Sequence, residues 1–293
     1  NMDFRKNPGG APANVAVALS RLGVEVSFIG KVGSDVLGQF LVEKLKSEAV
    51  NVDNMLTTEE AKTGITFVTL DEKGERSFDF YIEPSADRFL KPDELEDHLF
   101  AENKILHFGS ISLIDEPACS ATEKAVNLAR KNNMIVSYDP NLRMNLWDSA
   151  ERAREKIISM LNKVDILKVS EEELEFITGK KDIEKGATEL KQEYKIPVIF
   201  ITCGSDGSYY YNNSLGFVSA FKVNTVDTTG AGDAFMSGVL YYFNQEDVSI
   251  KELDEDFLKK VLRFANYSGS LAASDSGAMA ALPTIQNLSD FAI

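Results

Sequence analysis

The sequence predicts an α/β fold with a mainly parallel central sheet, helices on both of its faces and a small β appendage. Three observations carry this. From Lys104 onward, apolar runs of strand length alternate with amphipathic stretches of helix length, the pattern of successive β-α-β crossovers. Before that, residues 65–70 and 77–81 have alternating faces and flank the polar stretch 71–75, a hairpin signal that interrupts the β/α order. No internal repeat, low-complexity tract or linker divides the 293 residues, so one domain spanning 1–293 is expected.

Taken in order, residues 13–22 place Val15, Ala16, Ala18, Leu19 and Leu22 at helical spacing, with Pro12 in the first turn and Gly23 after the end. Residues 25–29 read as a short strand, and 36–49 as a helix with Leu37, Phe40, Leu41 and Leu45 on one stripe. Beyond the hairpin, strands are predicted at 105–108, 135–138, 166–169 and 198–202. Helices near 117–131, near 150–161 and within 171–194 separate them. Residues 208–211, whose Tyr209-Tyr210-Tyr211 run reflects β propensity, and 217–223 read as further strands. Long helices are expected over 231–243 and 257–273.

Composition narrows the function. Lys+Arg 31 against Asp+Glu 46 gives a net charge of −15, whose field repels nucleic acid and anionic membrane. An anionic substrate therefore needs a local site of backbone N–H groups or single cations. Cys119 and Cys203 stand far apart without metal-ligand spacing, which argues against a disulfide framework and for a reducing, cytoplasmic compartment. With only His98 and His107, any metal should be held by oxygens. No apolar run approaches the ~20 residues of a membrane-spanning helix.

The strongest motif is Asp227-Thr228-Thr229-Gly230-Ala231-Gly232-Asp233-Ala234-Phe235, which leads straight into an apolar helical pattern. Glycines at a helix N-terminus let N–H groups converge on an anion, and the helix dipole adds to the attraction. Asp233 would repel a bound phosphate unless it has work there, and accepting a hydroxyl proton beside a transferring phosphoryl group is such work. Helix capping alone is the plainer reading of a lone Gly-Asp. Gly33-Ser34-Asp35-Val36-Leu37-Gly38 has the glycine spacing of a Walker A loop, but Gln39-Phe40 stands where Lys-Ser/Thr is required. Phe235 likewise replaces the third glycine of a dinucleotide fingerprint. Near the start, Pro8-Gly9-Gly10-Ala11-Pro12-Ala13-Asn14 sets flexible backbone and one amide at the head of a helix, suited to polyol hydroxyls and equally to a plain turn.

Together, Gly9-Gly10-x-x-x-Asn14 and the Asp227–Asp233 segment resemble the two signatures of the PfkB, or ribokinase-like, carbohydrate kinases, and the similarity covers essentially the whole chain. Within that family, His107-Phe108-Gly109-Ser110-Ile111-Ser112, Asp139-Pro140-Asn141-Leu142-Arg143 with Leu146-Trp147, and Pro84-Ser85-Ala86-Asp87 are similar to those of fructokinases. The resemblance implies a three-layer α/β/α sandwich with a β-sheet lid contributed by about 1–6 and 64–88. It also implies transfer of the γ-phosphoryl of ATP to a sugar hydroxyl, foremost D-fructose to fructose 6-phosphate. 2-Keto-3-deoxygluconate, ribose or a nucleoside are alternative acceptors, and a non-catalytic sugar- or nucleotide-binding regulator is the alternative of another class.

Carried onto this sequence, the resemblance makes Asp233 the base and the N–H groups around Gly230, Ala231 and Gly232 the anion hole. Gly9, Gly10, Asn14, Tyr81 and Arg143 would meet the sugar, and Lys168, Thr202, Gly204, Gly207 and Asn266 the nucleotide. Glu173 would organise Mg²⁺, and Asp227 and Thr229 a monovalent cation such as K⁺. His107 and Trp147 are expected to be packing residues. A homodimer through the lid is a further implication. Two departures stand out. Family members open with a strand bearing a sugar-binding Asp, so the chain is expected to be preceded by such a strand. Ile82 occupies a place where relatives carry Arg, which weakens the case for an acidic sugar.

Overall fold

The computed structural model describes residues 6–70, 76–246, 249–250 and 252–288, with 69, 70 and 76–78 as backbone. The expected hairpin turn at 71–75 and the 1–5 part of the expected lid lie outside them. Helix α1 (Ala11–Arg21) starts at Gly10, whose φ of 109° is open to glycine and strained for other residues. Strand β1 (Gly30–Gly33) follows, then α2 (Val36–Ser47), whose first turn is capped by the Asp35 carboxylate accepting from the Leu37 and Gly38 N–H groups. Strand β2 (Met55–Thr58) pairs with β1 in parallel.

The strand expected at 25–29 is displaced to β1. Within 25–29 only Ser27 bridges, to Asn51. Two glycines bound β1 and disguise it as a break, yet at Gly33 a side chain would meet Thr63 N at 2.7 Å and Ala61 O at 2.9 Å. The hairpin β3 (Thr66–Leu70) and β4 (Arg76–Phe80) is antiparallel as expected. After the short α3 (Asp97–Glu102), strands and helices alternate as β5 (Ile105–Phe108), α4 (Ala118–Lys131), β6 (Ile135–Tyr138), α5 (Ala150–Leu161), β7 (Ile166–Ser170), α6 (Glu171–Thr178), α7 (Ile183–Tyr194) and β8 (Val198–Thr202). Strands β9 (Gly207–Tyr211) and β10 (Leu215–Ser219), helices α8 (Ala231–Gln245) and α9 (Glu255–Ala273), and the one-turn α10 (Ile285–Leu288) complete the order. Strand β10 ends earlier than the expected 217–223. It includes Gly216, which lies against the Tyr210 ring in register and leaves no room for a side chain.

The main sheet runs β10-β9-β8-β7-β6-β5, with β5 to β8 parallel and β9 and β10 added antiparallel. Its two faces are read directly from the period of two. Leu167, Val169, Ile199 and Ile201 point into a core shared with α4, α5, α6 and α7. Ile166, Val198 and Phe200 point the other way, into a core shared with α1, α8 and α9. Lys168 has the parity of Ile166, so a cation stands on the α8 face of the sheet, 6% exposed.

Candidate active site

The carboxyl ends of β6 and β7 and the amino end of α8 converge, which is where open α/β sheets place ligands. Asp233, at the third position of α8, is 7% exposed. Its two carboxylate oxygens are held by two amides: Asn14 Nδ2 of α1 donates to Oδ2 at 2.8 Å, and Asn141 Nδ2 donates to Oδ1 at 3.3 Å. Burial pushes the carboxyl up to about 6, with Asp139 adding to the rise, while Asn14, Lys168 and Arg143 oppose it. Asn14 Oδ1 is buried with no hydrogen-bond partner in the protein, so this amide has one end committed to the carboxylate and an acceptor left over.

Lys168 Nζ lies 3.0 Å from Asp139 Oδ2, both side chains buried. Burial works against its charge, but Asp139, Glu173 and Asp233 outweigh it and hold the ammonium above its ordinary range. The ammonium faces the start of α8, since a side chain at Gly232 would come 3.4 Å from Nζ. Gly230 takes φ +84°, and its missing side chain leaves room for Ala278 O. Ala231, expected in the anion hole, instead donates its N–H to Thr228 O at 3.2 Å and closes the entering turn. The first-turn N–H groups of Gly232 and Asp233 have no protein acceptor among the described residues. The local positive field thus comes from two amides, one helix terminus, the Lys168 ammonium and the Arg143 guanidinium, inside a chain of net charge −15.

Several expected residues have structural duties. Glu173, assigned to a metal by resemblance, accepts from Leu142 N–H at 2.7 Å and from Ser170 N–H at 2.8 Å, completing a capping box with Ser170. Burial, with Asp139 adding to it, raises its carboxyl. Among the described residues no group of three or more His, Cys, Asp or Glu is placed to hold a metal. Mg²⁺, which commonly binds one or two carboxylates, several waters and substrate phosphates, needs no such group, so Glu173 fits an outer role toward a metal carried by a nucleotide. Asp227 accepts from Thr229 N–H at 2.7 Å and Gly277 N–H at 3.1 Å, tying the loop before α8 to the turn after α9.

Asn266 has a structural duty as well. Expected at an adenine pocket, it spends its amide on the protein: Oδ1 accepts from Ser208 Oγ at 2.8 Å and Nδ2 donates to Val218 O at 2.9 Å, pinning α9 to β9 and β10. Gly204 (φ +52°) and Gly207 (φ +134°) shape the β8–β9 turn, and a side chain at Gly207 would collide with Val218 O. Thr202 ends β8 beside Val169 O. Gly9 is exposed, and Tyr81 is 71% exposed with its ring edge-on to Phe67, so neither joins the cluster around Asp233. Arg143 does approach it, since its charge bears on the Asp233 carboxyl.

His107, 3.0 Å from Ser137 Oγ, is pushed down to about 3 by burial and by Lys168, hence neutral and packed as expected. Trp147 is likewise core. Sequence reasoning missed Asp139 and Asn141 as site residues. An Asp-Pro-Asn turn directly after an apolar strand marks the sheet's ligand end, a signal of place that leaves the contacts of the two side chains unread.

Comparison with known proteins gives the family. The family model described as pfkB family carbohydrate kinase matches residues 1–285. "Probable fructokinase-2" of Arabidopsis thaliana is 46% identical over 284 residues, 96% of this chain and 85% of that protein. The crystal structure of fructokinase from Vibrio cholerae O395, with fructose, ADP and calcium ion bound, superposes with a TM-score of 0.91 at 37% identity, covering 99% of this chain and 92% of that one. A double mutant of it holds fructose, ADP and potassium ion. Fructokinase with bound ATP from Xylella fastidiosa also gives a TM-score of 0.91, at 34% identity over 97% of this chain and 90% of that one.

Proposed function

Because the chain belongs to the pfkB family of carbohydrate kinases, we propose that it is an ATP-dependent fructokinase, transferring the γ-phosphoryl of ATP to the 6-hydroxyl of D-fructose. The observation that carries this is Asp233: a buried carboxylate, poised at about 6 and oriented by two amides, at a helix start whose free N–H groups share the site with a buried ammonium. Asp233 takes the proton of the attacking hydroxyl, and Asn14, with its spare acceptor, orients the sugar. The Gly232 and Asp233 N–H groups and Lys168 meet the transferring phosphoryl oxygens, the contribution that matters most where charge is spread over them. Glu173, whose carboxylate holds the Leu142 and Ser170 N–H groups, would stand behind a Mg²⁺ carried in by the nucleotide, which would supply neutralisation of phosphate charge.

The glycine turn of β8 and β9, with Thr202, Gly204 and Gly207, borders the nucleotide. A monovalent cation such as K⁺ belongs near Asp227 and Thr229 on this reading, and a double mutant of the Vibrio relative holds a potassium ion. The hairpin over 64–88 acts as a lid that excludes water, and its exposed Val68 and Tyr81 suit pairing with a second copy. The two free, buried cysteines agree with a reducing cytoplasm, and no helix among the described residues is long and apolar enough to cross a membrane.

The test is ADP release with MgATP against fructose, ribose, 2-keto-3-deoxygluconate, adenosine and glucose. Fructose-dependent turnover that Asp233→Ala lowers by roughly 10²–10⁴-fold is expected. Silence with every sugar while ATP still binds overturns catalysis in favour of a binding protein.

A further inference from the structure

Asp139 touches both halves of the site at once, a position no expectation from sequence gave it. Its Oδ2 accepts from Lys168 Nζ at 3.0 Å, and its Oδ1 accepts from the Asn141 backbone N–H at 3.2 Å. The first contact fixes the ammonium that faces the start of α8. The second closes an Asx turn in which Asn141 takes φ +46°, a left-handed conformation that asparagine tolerates better than most residues. From that conformation the Asn141 amide reaches Asp233 Oδ1.

Asp139 is itself immobilised. It is 3% exposed, its N–H donates to Phe108 O, and the next carbonyl, Pro140 O, accepts from both Ser110 N–H and Ser110 Oγ. Beyond the turn, Glu173 holds Leu142 N–H. A buried ion pair by itself adds little net stability, because desolvation offsets the attraction. What its two ends reach is therefore the better account of it.

We propose that Asp139 is a positioning residue that sets the phosphoryl-side cation and the proton-side base in register, its two oxygens governing Lys168 and, through Asn141, the carboxylate of Asp233. This rests on the fructokinase reading. It assigns Asp139 no contact with substrate. The groups whose charge bears on Asp233 are Asp139 and Arg143 from the loop after β6 and Lys168 from β7; Glu173 of α6 and His107 of β5 lie around Lys168, and α1 contributes only the uncharged Asn14.

The test is steady-state kinetics from pH 5 to 9 on the full chain, with thermal melts and ADP binding as checks of folding, for Asp139→Asn and Asn141→Ala. Both are expected to lower kcat by about 10–100-fold, the cost of misplacing reacting groups by a fraction of a bond length, with little change in the KM for fructose. The acid limb of the pH profile separates positioning from packing. In Asp139→Asn it moves to lower pH, because a negative charge beside Asp233 is gone and Lys168 is released toward it. In Asn141→Ala it moves to higher pH, because the carboxylate loses a donor.

Acid limbs unmoved in both variants overturn the proposal. Should Asp139→Asn not fold, with the Lys168 charge left unpaired, Asn141→Ala decides alone, since it strands no charge. Activity surviving in Asp233→Ala would instead sink the base assignment itself, whereas its loss there alongside unmoved limbs removes only the role given to Asp139.

Discussion

At the scale of the residue, Asp233 sets two pH dependences of opposite sense. Its folded carboxyl lies at about 6 against an ordinary 3.8, so the folded chain holds this proton more tightly than the unfolded chain does. Stability from this group is therefore full below about pH 4, declines as pH rises to about 6 and stays low above it. Catalysis runs the other way, because the base must be ionised, and kcat/KM is expected to fall as pH drops through about 6. Asp233→Asn should then be inactive, and the parent's stability relative to this variant should fall by roughly 1–3 kcal/mol between about pH 4 and pH 7.5. Urea titrations of both proteins at the two pH values check this, and a difference that does not change with pH would contradict the burial account. The residue was legible in sequence because a carboxylate in a glycine-led helix start is chemically odd. Asn141 was not, since nothing in an Asp-Pro-Asn string shows that a left-handed turn will swing its amide onto a carboxylate 92 positions away.

At the scale of the element, the glycines divide into those that relieve backbone strain alone and those that also yield space. Gly204 has φ +52° and open surroundings, while Gly207 has φ +134° and the β10 backbone against it. Alanine is expected to cost about 1 kcal/mol at Gly204 and about 3 kcal/mol at Gly207, read as a shift in the urea midpoint at constant slope. Equal costs would show that the turn, and not the approach of β10, sets the requirement. Strands β5 to β8 were readable to within a residue because apolar residues dominate each run, with one polar residue inside β5, β6 and β7 (His107, Ser137 and Lys168) and none inside β8 before its terminal Thr202. Strands β1 and β10 were misplaced because Gly30, Gly33 and Gly216 occupy positions where a neighbouring backbone or ring, known only from the tertiary fold, fills the space a side chain would take, and β2 is a four-residue strand too short to show a period.

At the scale of the whole molecule, a chain of charge −15 binds a nucleotide of the same sign, so attraction at the site works against repulsion at a distance. Raising inert salt, such as tetramethylammonium chloride, from about 20 to 200 mM shortens the reach of that repulsion. The kcat/KM for MgATP is expected to rise roughly twofold, and a fall would mean that the local cations dominate the approach. The layered architecture was legible from alternation alone, whereas the way α1, α8 and the β6 turn meet at one carboxylate depends on packing that no local pattern encodes. Helix α8 carries the last lesson. From Asp233 to Leu240 every residue is buried, and at Gly238 the backbone of α9 comes within 2.8 Å of where a side chain would start. The carboxylate proposed as the base is thus welded to the crowded seam between α8 and α9. Laboratory evolution toward other acceptors should leave that seam intact and accumulate its changes at exposed positions such as Val68 and Tyr81, where variation costs the fold little.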